Sequence, residues 1–69
     1  MEDLLDRLSE EYDQLSNRIN KLSDFIDWDE AFNKLSDLQR VLLVTQLNAM
    51  DMYQNILETR IYDIQQQSN

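Results

Sequence analysis

Leu5, Leu8, Tyr12, Leu15, Ile19, Leu22 and Ile26 follow one another at alternating steps of three and four residues. That spacing returns each side chain to the same stripe of an α-helix, so it predicts a helix over residues 2–26 with one long apolar seam. Ser9, Ser16 and Ser23 each come directly after a seam leucine, seven residues apart. They read as polar surface, or as small residues that let a neighbouring helix approach. Glu2 and Asp3 suit the positive end of the helix dipole.

A second helix is predicted over residues 36–64, opened by the capping-box sequence Ser36-Asp37-Leu38-Gln39. It carries two apolar rows. Leu43, Leu47, Met50, Leu57, Ile61 and Ile64 form one; Leu38, Leu42, Thr45, Ala49, Met52 and Ile56 form the other. At about 100° per residue the rows together span more than half of the circumference, more than one neighbouring helix covers. Between the helices, residues 27–35 read as a hinge. Asp27-Trp28-Asp29-Glu30 has capping-box spacing, which predicts a short helical turn with Trp28, Phe32 and Leu35 plugging the end of the pair. Residues 65–69 read as a frayed polar tail. The expected fold is all-α: an antiparallel two-helix hairpin with a helical turn at its hinge, in one domain spanning residues 1–69.

A chain of 69 residues with no cysteine for disulfides needs burial beyond one seam. The row Leu38, Leu42, Thr45, Ala49, Met52 and Ile56 is therefore the expected interface of a homo-oligomeric helical bundle.

Composition narrows the function. With no glycine there is no P-loop, dinucleotide fingerprint or EF-hand turn, and with no cysteine or histidine there is no ordinary zinc site, thiolate nucleophile or imidazole base. No enzyme, cofactor or metal is expected. Asp24, Asp27, Asp29 and Glu30 cluster at the hinge, without the ligand spacing of a calcium loop. The longest apolar run, Val41-Leu42-Leu43-Val44, is far too short to span a bilayer. Met1-Glu2-Asp3 is acidic where a signal peptide is basic, so a cytoplasmic location is expected.

The net charge is -8. Eleven acids and four bases fall in residues 1–38, against three acids and two bases in residues 39–69. Such a chain repels nucleic acids and anionic membranes at long range, which argues against direct binding to either. Gln39, Gln46, Tyr53 and Arg60, spaced by sevens, run along one side of the second helix, and Gln46, Tyr53 and Arg60 fall within its apolar arc. Polar groups there need partners. Either the row meets its own copy as a polar zipper, or Gln46, Tyr53 and Arg60, joined by Arg18 and Lys21 from the first helix, line a ligand site between subunits. Arginine forks onto phosphate, tyrosine offers a stacking face and glutamine reads a base edge.

Arg18-Ile19, Lys21-Leu22, Phe25-Ile26, Phe32, Leu35, Leu42-Leu43, Gln46-Leu47, Ala49-Met50, Tyr53, Ile56-Leu57 and Arg60-Ile61 together resemble a family of small helical-hairpin phage proteins, found in crAss-like phages and phages of Firmicutes. The likeness covers roughly residues 15 to 61. In architecture it is similar to the sponges with which phages defeat CBASS and Thoeris immunity. That resemblance implies a counter-defence protein in the host cytoplasm that holds a cyclic nucleotide signal between subunits without cleaving it. Arg18, Lys21, Gln46, Tyr53 and Arg60 are the positions available for that role. The alternatives are an acidic module that inhibits a host defence protein as a nucleic-acid mimic, and a purely structural oligomer.

Overall fold

The computed structural model describes residues 2–67; Met1, Ser68 and Asn69, which the expected domain and tail included, lie outside the described residues. The described chain is helical, in the order α1 (Glu2–Trp28), α2 (Glu30–Asn33) and α3 (Asp37–Gln67), with no strand among the described residues. It forms a rod extending 51 × 15 × 14 Å.

Helices α1 and α3 pack along their lengths. Leu8, Leu15 and Leu57 form the buried centre, and Leu4, Tyr12, Ile19, Met50, Ile61 and Ile64 pack around it. The α1 seam thus lies inward as its spacing predicts, with Leu4 added at its start. Of the two rows on α3, the one containing Leu57 turns to α1, and every member of it is buried or half-buried. Ser16 accepts a hydrogen bond from the Gln54 side-chain amide. Ser9, Tyr12 and Asp13 share a shallow depression with Glu58 and Ile61. Residue numbers rise on α1 as they fall on α3, so the two helices run in opposite directions.

Local capping sets the breaks. Asp29 has extended backbone (φ -93°, ψ 123°), and its carboxylate accepts from the Ala31 amide at 2.9 Å. It ends α1 and starts α2 at once. The Ser36 hydroxyl accepts from the Gln39 amide at 3.2 Å, while the Ser36 carbonyl takes the first bond of α3 from the Arg40 amide at 3.0 Å. Ser36 is therefore the N-cap, as the capping-box spacing predicts. Changing Ser36→Ala is expected to cost about 1 kcal/mol, read as a lower urea midpoint with the unfolding slope unchanged.

Three expectations are corrected. The first helix runs two residues further than its seam, to Trp28, because the stop signal is Asp29 and not Asp27. That extension carries Trp28 about 200° round from Ile26, out of the seam. Trp28 is 82% exposed and does not plug the hinge. Phe32 takes that place, half-buried and edge-on to Phe25 with ring centroids 6.0 Å apart. Finally, residues 65–67 of the expected tail are helical. Glutamine is a good helix former, and Gln67 donates to the Asp63 carboxylate one turn back at 3.0 Å.

Candidate functional site

The site is defined by which side of the α1–α3 contact each residue occupies. Tyr12 stands three residues before Leu15, and Gln54 three before Leu57; both lie on the side that carries the Ser16–Gln54 bond. Arg18 stands three after Leu15, and Arg60 three after Leu57. At about 100° per residue they rotate the opposite way from the buried leucines. Because the helices run in opposite directions, the two rotations lead to one common side of the pair. Gln46 and Tyr53 follow Arg60 back along α3 at seven-residue steps, and Lys21 lies three beyond Arg18 on α1. Arg18, Lys21, Gln46, Tyr53 and Arg60, drawn from two helices, thus share a face.

They are not all equally close. Extending the register from Ser16 opposite Gln54 puts Arg18 level with Met52 and Tyr53, and Lys21 level with Ala49, so these two cations flank the stretch of α3 between Gln46 and Tyr53. Arg60 stands roughly 10 Å further along α3 by helical rise. It lines a separate open groove of about 510 Å³ with Asn55, Ile56, Thr59 and Asp63. Thr59 and Asp63 were not among the residues expected here. Their spacing from Met52 and Ile56 continues the exposed row by steps of three and four, a signal visible in the sequence but hidden by their polarity.

All five expected ligand residues are exposed. Among the described residues the ion pair is Arg40 with Asp37, and neither Arg18, Lys21 nor Arg60 pairs with a carboxylate. Arg7, on the same flank of α1, instead donates its Nε to the Asp3 carbonyl at 3.4 Å. Three cationic side chains are therefore free on one face of an acidic chain.

Beside them lies the second apolar row. Leu38 is 65%, Met52 68% and Ile56 56% exposed; Leu42, Thr45 and Ala49 are exposed as well. Thr45 donates its hydroxyl to the Val41 carbonyl at 2.8 Å, so it brings no unmet polar group to the row. Gln46, Tyr53 and Arg60 run along the strip between this open row and the one packed on α1. Tyr53, at 43% exposure, leaves part of its ring accessible.

Other chemistry is sparse. Among the described residues no group of three or more carboxylates stands where it could hold a metal ion. No helix of the described chain is long and apolar enough to cross a membrane.

A protein of Enterobacteria phage T4, described as an uncharacterized 7.5 kDa protein in the denB-rIIB intergenic region, is 42% identical over 55 residues, covering 80% of this chain and 84% of the phage protein. No solved structure matches. The family model described as Sequestin matches residues 2–63, through α1, α2 and most of α3. Matched from the first turn of α1 to the last turns of α3, and sharing its length with a small phage protein, the chain belongs to the Sequestin family.

Proposed function

We propose that this protein is a phage counter-defence sponge, a homo-oligomer of helical hairpins that sequesters a small, phosphate-bearing cyclic nucleotide signal between its subunits without cleaving it. The observation that carries the reading is the trio of free cations, Arg18, Lys21 and Arg60, on the face that also presents Tyr53 and Gln46. In a chain with fourteen acids and six bases, cations left without carboxylates are available to an external anion. Tyr53 offers its ring to a base, and Gln46 its amide to a base edge or a ribose hydroxyl. The family's description as Sequestin supports a role in holding rather than converting. The narrower likeness to proteins of crAss-like phages and to anti-CBASS and anti-Thoeris sponges belongs to this proposal.

Binding in this scheme needs no covalent step. Phosphate oxygens would exchange water for guanidinium and ammonium donors, and closure between subunits would lower the local dielectric and strengthen those bonds.

Titration of the purified protein with cyclic di- and oligonucleotides and with ADP-ribose derivatives is expected to release heat for at least one ligand. Arg60→Ala should weaken that ligand by tenfold or more while leaving helicity unchanged, because Arg60 is exposed and supports no packing. The ligand recovered after denaturation should be chemically intact. Silence across the panel would overturn the sponge reading.

One observation favours a second reading, in which the acidic surface docks on a host protein: eleven of the fourteen acids lie in residues 1–38. Capture of a host partner that is lost when Asp24, Asp27 and Asp29 become asparagine, with no nucleotide binding, would select it.

A further inference from the structure

From the open row on α3 we infer the geometry of assembly: two copies pair α3 against α3 in opposite directions about a two-fold axis, with Leu38 of one copy against Ile56 of the other. This rests on the proposed self-association and adds to it the register, the symmetry and the composition of the shared groove.

The row runs Leu38, Leu42, Thr45, Ala49, Met52, Ile56, with two large residues, two small ones, then two large ones. Turned end for end, it matches itself in spacing and in size. Leu38 meets the other copy's Ile56, Leu42 meets Met52, and Thr45 meets Ala49. Such self-complementarity is what an isologous two-fold contact requires, since each residue must suit the partner that its own partner position presents. The small pair falls on the axis, where the helix backbones come closest.

Three further observations select this occupant and this direction. First, no residue of the row is charged, and residues 39–69 hold three acids and two bases, whereas residues 1–38 hold eleven and four. Copies meeting through α3 keep their acidic α1 helices apart; contact through α1 would oppose them. Second, parallel pairing would bring both copies of Asp27, Asp29, Glu30 and Asp37 to one end and align two 31-residue helix dipoles. Antiparallel pairing sends the hinge acids to opposite ends and opposes the dipoles. Third, the exposed parts of the row amount to roughly 500 Å² per copy, so their full burial gives about 1,000 Å² for the pair, the minimum for a biological interface and below the roughly 1,200–2,000 Å² of stable ones. The row is uninterrupted and its one hydroxyl is already bonded inside the helix.

The same register arranges the site. Gln39, Gln46, Tyr53 and Arg60 occupy the strip of α3 between its contact with α1 and the proposed contact with the second α3. Both copies therefore present this strip on one side of the dimer, with the two Gln46 side chains flanking the axis and Tyr53 and Arg60 outward on each side. A two-fold groove of this kind has the symmetry of a ligand built from two like halves. The open groove at Asn55, Ile56, Thr59, Arg60 and Asp63 comes alongside the first turn of the second copy's α3, so the hinge end of one molecule borders the Arg60 of the other.

The chain has no cysteine, so paired single-cysteine variants give a direct test. L38C and I56C proteins, both altered at exposed positions, are mixed and mildly oxidised without any nucleotide present. The expected product is the mixed L38C–I56C disulfide, at least tenfold more abundant than either self-linked dimer. In this register the two copies of residue 38 stand roughly 27 Å apart along the helix axis, beyond disulfide reach. T45C with A49C should behave likewise, near the axis. Predominant self-linking of L38C and of I56C would show parallel pairing and overturn the inference. Absence of any cross-link at micromolar concentration, in protein whose circular dichroism remains helical, would overturn it as well. Because no ligand is used, a failure of nucleotide binding leaves this outcome separately readable.

Discussion

Replacing Leu57 by alanine is expected to remove much of the protein's stability. Leu57 is the one side chain fully buried in the described structure, at 0% exposure, and it joins Leu8 and Leu15 in the centre of the α1–α3 contact. Truncating a leucine in such a position costs about 2–5 kcal/mol, from lost transfer free energy and the cavity left behind. A domain of this size has only about 5–15 kcal/mol to lose, and each kcal/mol shifts its melting temperature by roughly 4–8 °C. The variant should therefore melt on the order of 10–30 °C lower in a thermal scan followed by circular dichroism. Ile56, the adjacent residue, faces outward. Ile56→Ala should leave the unfolding of a single chain nearly unchanged and act on self-association instead. Equal losses for the two variants would contradict the division of α3 into an intrachain and an open row.

The second large effect concerns the open row itself. Met52→Asp is expected to keep the α1–α3 packing, because Met52 is exposed and lies outside the buried core, while the dissociated chain melts lower than the assembly. In the proposed dimer the two-fold axis places the new carboxylate in the apolar contact twice. An unpaired buried charge costs roughly 3–5 kcal/mol, so association should weaken by a hundredfold or more. Sedimentation at matched concentrations, with circular dichroism as the fold control, reads this directly. The same variant should lose any nucleotide held between subunits, although Arg18, Lys21 and Arg60 remain. If Met52→Asp associates like the parent, the row is not the interface.

Much of the fold was legible from periodicity, because long helices without glycine or proline leave few alternatives. The α1 seam and the α3 row through Leu57 lie inward because each repeats in step with the helix over many turns, and burial of the whole stripe outweighs any local preference. The Ser36 cap was legible for a local reason, since its side chain needs only the amide of Gln39. At Trp28 helical phase overrides hydrophobicity. Two more residues of α1 turn its large apolar ring outward, and no other element covers it. The tail shows the converse: Gln65–Gln67 are polar but continue the helix at little cost. At the site, the shared side of Arg18, Lys21, Gln46, Tyr53 and Arg60 follows from helical angle once the direction of α3 against α1 is known. How far Arg60 stands from Arg18 and Lys21 depends on the register between the helices, which no single helix encodes.

In the proposed assembly, further copies of the chain cover the exposed row on α3. The most direct test is the mass of the purified protein by light scattering at micromolar concentration. The expected result is an even multiple of 8.3 kDa, with a melting temperature that rises as protein concentration rises. A cooperatively folded species of 8.3 kDa, melting at the same temperature at every concentration, would contradict it.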